Sequence, residues 1–129
     1  MKFRDYQIRI ADKAKDILCQ HKFVYLSMQV RTGKTLTAMR VAQKLKIKRM
    51  LFVTKKKALP SIEVDYKKLN PNYDMVVINY ESLHKVQGRF DFIVLDEAHS
   101  MGAYPKPSKR TERVKQLIKN SNPYVVLMS

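Results

Sequence analysis

Arg31-Thr32-Gly33-Lys34-Thr35 and Asp96-Glu97-Ala98-His99 are the two strings in this chain whose residue types could do chemistry together. The first reads as a phosphate-binding loop. Gly33 allows a backbone in which consecutive N–H groups converge on phosphate oxygens. A helix opening there would turn its positive dipole end toward the anion. Lys34 can reach β- and γ-phosphates, and the Thr35 hydroxyl can ligate Mg²⁺. The second string ends the apolar run Phe92-Ile93-Val94-Leu95. Asp96 would hold magnesium from the opposite side through water, and Glu97 would orient and polarise an attacking water. The ordered pair, each member after a strand-like segment, points to a site for ATP and magnesium. The loop departs from G-x-x-x-x-G-K-[ST] by carrying Met28 where the pattern has glycine. The plainer reading is an ordinary strand–turn–helix followed by an acidic loop.

The elements that would hold these strings follow from apolar periodicity and turn residues. Residues 3–20 carry Phe3, Tyr6, Ile10, Ala14, Ile17 and Leu18 on one helical stripe. A strand over 23–28 leads into the loop, and a helix runs from Lys34 to about residue 46. Met50 to Thr54 is a second buried strand. Ala58-Leu59-Pro60 then opens a helix with Ser61 as its candidate cap and Glu63 in its first turn. Asn70-Pro71-Asn72 breaks that helix before a third strand, Met75 to Asn79. A short helix over 80–86 and the turn Gln87-Gly88 precede a fourth strand, 91–96. A loop over 100–109 and a basic helix over 110–120 lead through Asn122-Pro123 to a last strand, Tyr124 to Met128. Near-continuous apolar strands alternating with helices predict an α/β domain of three layers around a parallel sheet. No repeat, low-complexity segment or linker divides it.

Composition bounds the remaining classes. The 129 residues make one domain, and 45% hydrophobic content without a long apolar run excludes a membrane-spanning helix. The start, Met1 to Asp5, lacks a signal peptide's apolar stretch, so a cytoplasmic protein is expected. One cysteine, Cys19, excludes an internal disulfide or a cysteine metal cluster; it is read as a small core or boundary residue. His21 and His84 are read as surface or boundary residues. A net charge of +15 is the footprint of a nucleic-acid partner or of lysines that merely solvate the surface. Clustering favours the partner: Lys55-Lys56-Lys57, Lys67-Lys68, and Lys106 with Lys109, Arg110, Arg113 and Lys115. Aromatic interleaving is weak, so base stacking is not indicated.

In their order, these motifs resemble the first RecA-like domain of superfamily-two helicases and translocases, nearest the DEAH-type, Swi/Snf-like branch that includes small phage-encoded helicases. Arg4-Asp5-Tyr6-Gln7 is similar to that family's R-x-Y-Q adenine element, which implies that Gln7 reads the adenine edge while Arg4 or Tyr6 packs near the base. Met28 to Thr35 resembles motif I, with Arg31-Thr32 where the branch often has Gly-Leu. Val53-Thr54-Lys55 resembles motif Ia, which touches the nucleic-acid backbone, and Val77 to Glu81 resembles motif Ib. Asp96 to His99 resembles motif II, with His99 coupling ATP state to motif III. Val126 to Ser129 looks like the start of motif III.

The resemblance implies a RecA-like P-loop fold, ATP and Mg²⁺ as cofactors, and DNA rather than RNA as partner. Lys55, Lys56, Lys57, Lys106, Lys109 and Arg110 are the candidate nucleic-acid contacts. It also implies a second RecA-like domain, in cis or in trans, that residues 1–129 do not contain. A fragment, or the product of a split or truncated gene, is therefore expected to hydrolyse ATP weakly. If the gene is phage-borne, the protein would work in the host cytoplasm. Two other functions fit parts of the pattern. A non-translocating P-loop ATPase or kinase would not need the acidic quartet or the R-x-Y-Q entry. A nucleic-acid-binding module whose motor has decayed would tolerate Met28.

Overall fold

The computed structural model describes residues 5–26, 33–96, 116, 118, 119 and 122–128, with the main chain alone at position 34. The elements run α1 (Asp5–His21), β1 (Phe23–Leu26), α2 (Lys34–Leu45), β2 (Arg49–Thr54), a 3₁₀ turn (Lys56–Ala58), α3 (Leu59–Leu69), β3 (Asp74–Asn79), a second 3₁₀ segment (Tyr80–Lys85), β4 (Phe92–Leu95) and β5 (Tyr124–Met128). The strands form one sheet in the order β1-β5-β4-β2-β3, and every pairing is parallel.

Alternation along the strands splits the core in two. Val24 and Leu26, Met50 and Phe52, Phe92 and Val94, and Val126 and Met128 pack with α1, α2 and α3 on one face. Leu51 and Val53, Ile93 and Leu95, and Val125 face the other side, where Tyr80, Leu83, Val86, Phe90 and Ile118 cover them. This is the three-layer α/β arrangement expected from apolar strands, since a parallel sheet must be covered on both faces. The cover is uneven. On edge strand β1, Phe23 and Tyr25 point away from the α1 side and stay 48% and 51% exposed.

The ends of the helices correct several expectations. α1 does not bury Tyr6 and Ile17. Its buried line is Gln7, Ala11, Ala14 and Leu18, while Ile17 is 39% exposed. The small Ala11 and Ala14 lie in one cluster with Ala38 and Ala42 of α2, so the two helices can approach closely, and that approach sets the rotation of α1. Cys19 is exposed rather than a core residue. Ser61 does not cap α3: the 3₁₀ turn runs straight into the helix, with Ala58 at the cap position and Pro60 in the first turn. Glu63 accordingly falls beyond that turn. The short helix expected over 80–86 is present as the 3₁₀ segment Tyr80–Lys85. Of the basic helix expected over 110–120, only Gln116, Ile118 and Lys119 lie among the described residues, and these are helical.

Side chains fix the register at the start of the strands. The Asp91 carboxylate accepts the Lys48 and Arg49 N–H groups at 2.7 Å each. The Asp91 N–H donates to the Arg49 carbonyl at 3.1 Å, and its own carbonyl accepts the Tyr124 N–H at 3.0 Å. One residue thus joins the chain to both neighbouring strands immediately before β4 begins. Arg49 reaches back over the Phe90 ring at 4.4 Å. On the other face Lys44 binds Asp12, joining α2 to α1, and its ammonium holds that carboxyl below the usual carboxylate range. Asp91→Ala strands the two main-chain donors and is expected to lower stability by about 1–3 kcal/mol in denaturant unfolding. Asp91→Asn, which keeps one acceptor oxygen, should fall between wild type and alanine.

Candidate nucleotide site

Parallel pairing brings the carboxyl ends of all five strands to one edge of the sheet. In open α/β sheets that edge is where ligands bind. Gly33, Thr54, Tyr80 and Asp96 all follow or end strands there. β5 lies between β1 and β4. The strand leading to the glycine loop and the strand ending in Asp96 are therefore two strand spacings apart, about 10 Å. A triphosphate and its metal need a gap of that order.

Gly33 is the residue before α2 and adopts the left-handed conformation, φ 74° and ψ 35°. It offers no side chain to cap the helix, so the first N–H groups of α2 keep their donor capacity for an anion. Its carbonyl is held from three directions. The Thr37 N–H donates at 3.0 Å, the Thr37 hydroxyl at 3.0 Å, and the Gln7 amide at 3.2 Å. Gln7 is only 5% exposed. A Cβ at position 33 would meet the Gln7 nitrogen at 2.1 Å and push that amide aside, while the positive φ itself favours glycine. The polar start of the α1 buried line is thereby explained: Gln7 is turned inward to hold the loop. Thr35 sits in the first turn of α2, half-buried, and Lys34 is that helix's first residue.

Asp96 is 5% exposed and stands where β4 ends. Its N–H continues the β2 ladder by donating to the Val53 carbonyl at 2.8 Å. The Thr54 hydroxyl, wholly buried, donates to its carboxylate at 2.8 Å. The Tyr80 hydroxyl, also buried, donates to its main-chain carbonyl at 2.5 Å. Thr54 lies in a segment read from sequence as a nucleic-acid contact, and Tyr80 in one similar to motif Ib with no role assigned to it. A threonine closing a buried strand, and a tyrosine directly after one, are the signals for such a role, but neither reveals its partner. Thr37, four residues after Gly33, escaped the sequence reading for the same reason.

The donor types fit magnesium. It takes hard oxygen ligands, keeps several waters and relies on one or two protein groups plus phosphate. Thr35 and Asp96 supply a hydroxyl and a carboxylate. No group of three or more His, Cys, Asp or Glu residues converges among the described residues. Lys55, Lys56 and Lys57 are exposed on the turn that follows Thr54, at the same edge. His21 and His84 are exposed, as expected. Arg4, Arg31, Thr32, Glu97, His99, Lys106, Lys109 and Arg110 lie outside the described residues. A cleft of about 480 Å³ opens at the opposite edge, lined in part by Ala42, Lys46, Asn70 and Tyr73. There α2 and α3 end, and their negative dipole ends suit a triphosphate poorly.

The fold and this edge define a RecA-like α/β domain with a glycine loop and a buried aspartate facing one another across one strand. Residues 1–80 match the family described as Type III restriction enzyme, res subunit. The chain belongs to that family and is a helicase-like domain of the restriction-enzyme and helicase type. Among curated proteins it is similar to "Putative helicase 109L" of Invertebrate iridescent virus 3, at 32% identity over 95 residues. That match covers 72% of this chain and 29% of the viral protein. Among solved structures, the ATP-dependent Type ISP restriction-modification enzyme LlaBIII bound to DNA superposes with a TM-score of 0.67 at 18% identity. The superposition covers all of this chain and 13% of that enzyme, and it shows a shared fold. No helix among the described residues is long and apolar enough to cross a membrane.

Gly33→Ala combines backbone strain with displacement of Gln7 and should cost about 1–3 kcal/mol of stability. Gln7→Glu sets a carboxylate against the Gly33 carbonyl and should destabilise more than Gln7→Ala. Thermal unfolding of the three variants measures both.

Proposed function

We propose that this chain is the ATP-binding half of a nucleic-acid-dependent ATPase, a helicase or a double-stranded-DNA translocase, whose hydrolysis is coupled to movement on DNA in the full protein. The observation that carries the reading is the pinned, left-handed Gly33 at the head of α2, after β1, with the buried Asp96 after β4, two strand spacings from β1. The family membership and the fold shared with a DNA-bound restriction enzyme support it. The DEAH-type, Swi/Snf-like branch and a phage origin are the finer reading, drawn from Arg4-Asp5-Tyr6-Gln7 and Asp96 to His99.

In this reading Lys34 and the first N–H groups of α2 receive the phosphates, and Gln7 links adenine recognition to the loop it holds. Thr35 and Asp96 hold magnesium, which when bound neutralises charge on the phosphates. Glu97 takes the proton side of the reaction by orienting a water, and His99 relays the state of the site. Arg4, Tyr6, Arg31 and Thr32 complete the nucleotide contacts. Lys55, Lys56 and Lys57, with Lys106, Lys109 and Arg110, meet nucleic-acid phosphates. A second RecA-like domain, in cis or in trans, supplies the groups that close the site for turnover. The alternative is a nucleic-acid-binding module without motor activity, for which the exposed lysine turn would suffice alone.

Titration with a fluorescent ATP analogue separates the two. Wild type is expected to bind it at up to millimolar concentration with Mg²⁺, and Lys34→Ala to weaken binding by at least about tenfold, the loss of one charge-assisted phosphate contact. Binding of duplex DNA without any binding of the analogue would instead support the module without a motor.

A further inference from the structure

We propose that Thr54 and Tyr80 are positioning residues for Asp96, a pair of hydroxyls that set the metal-holding carboxylate. The proposal rests on the nucleotide-site reading above and assigns to the magnesium side Thr54, whose motif suggested the nucleic-acid side, and Tyr80, to which the motif gave no role.

Asp96 needs such support because of where it stands. β4 ends at Leu95, so one further ladder bond, from the Asp96 N–H to the Val53 carbonyl, is what the β2 strand contributes at this residue. A carboxylate on the first residue beyond a strand has two soft degrees of freedom, the turn of its main chain and its side-chain rotamer. The structure restrains each with a separate hydroxyl. Tyr80 donates to the Asp96 carbonyl at 2.5 Å and restrains the main chain. Thr54 donates to the carboxylate at 2.8 Å and restrains the rotamer. The two come from different elements, the end of β2 and the start of the 3₁₀ segment after β3, so they act from different sides.

Both hydroxyls are themselves immobile. Thr54 is fully buried and β-branched, with few rotamers open to it in a strand. The Tyr80 ring is 4% exposed and packs in one cluster with Leu51, Val53 and Leu83. A rigid donor on a ligating carboxylate does what outer partners do at metal sites: it sets orientation before the ion arrives. The order of the sheet makes this possible, because β2 adjoins β4 while β3 lies one strand further out.

The test is a Mg²⁺ titration at a fixed concentration of a fluorescent ATP analogue, with the analogue also titrated alone in EDTA. The proteins compared are wild type, Thr54→Val, Thr54→Ser and Tyr80→Phe. Thr54→Val keeps the shape and removes the donor; the half-saturating Mg²⁺ concentration should rise by about tenfold, the usual scale for an outer partner of a metal ligand. Thr54→Ser restores the hydroxyl and should return close to wild type. Tyr80→Phe should give a smaller rise. Affinity in EDTA should be unchanged throughout, which a merely structural role would not produce. Wild-type Mg²⁺ dependence in Thr54→Val, or equal losses with and without Mg²⁺, overturns the proposal while leaving the nucleotide site intact. A wild-type protein that binds the analogue under neither condition overturns the nucleotide reading, and the proposal with it. If Thr54→Val does not fold, Tyr80→Phe, which lacks a single oxygen, decides by the same two criteria.

Discussion

A parallel strand cannot be joined to its neighbour by a tight turn, and this constraint organises the molecule. Each connection must return the chain to the same end of the sheet before the next strand starts. α2 does so between β1 and β2, and α3 between β2 and β3. The carboxyl ends of the strands then fall along one edge whatever the side chains are. Gly33, Thr54, Tyr80 and Asp96, far apart in sequence, follow or end strands at that edge, and Thr54 and Tyr80 bond Asp96 there. Asp91 fixes that pairing at the opposite edge, where its carboxylate takes the Lys48 and Arg49 N–H groups.

What the pairing brings together, buried hydrogen bonds hold still. The Gly33 carbonyl accepts two bonds from Thr37 and one from Gln7. The first two are local to α2, but the third comes from α1 and ties Gly33 to the neighbouring helix of the same layer. Asp96 is treated the same way, with donors from β2 and from the segment after β3. In a poorly solvated edge each such bond strengthens as water is excluded, and each would be costly to leave half made. In the proposed reading, the phosphate side and the metal side of the site are held by separate networks, with β5 between their strands.

The charge of the chain is distributed to suit this division. Among the described residues, the hydroxyls of Thr54 and Tyr80 that donate to Asp96 are neutral. Lys55, Lys56 and Lys57 are kept one residue outside, exposed on a 3₁₀ turn. A lysine at position 54 would place its charge beside the aspartate, whereas the lysines beyond it place theirs on the surface, where the proposed reading has them meet nucleic-acid phosphates.

The strands, the helices and the two reactive strings were legible in the sequence because they depend on local properties. Apolar runs such as Phe92 to Leu95 and Tyr124 to Met128 have to be buried, and Gly33-Lys34-Thr35 has to open a helix. Boundaries that depend on competition between neighbours were less legible: the turn at Lys56–Ala58 displaced Ser61 from the cap of α3. The rotation of α1 was legible only in part: Ala14 and Leu18 of the expected stripe are buried, whereas Ile17 is exposed. Its apolar stripe through Tyr6 and Ile17 competes with the line Gln7, Ala11, Ala14 and Leu18. Only contact with α2 decides between them, because small alanines permit an approach that larger residues prevent. The partners of Gln7, Thr54 and Tyr80 belong to the same class. Hydrogen bonds between residues 26, 42 and 16 positions apart have no trace in local pattern. The sequence by itself determined which residues could do chemistry and on which kind of element each would sit. The tertiary structure decided which side chains hold them in place, because only packing of distant elements sets a donor beside its acceptor.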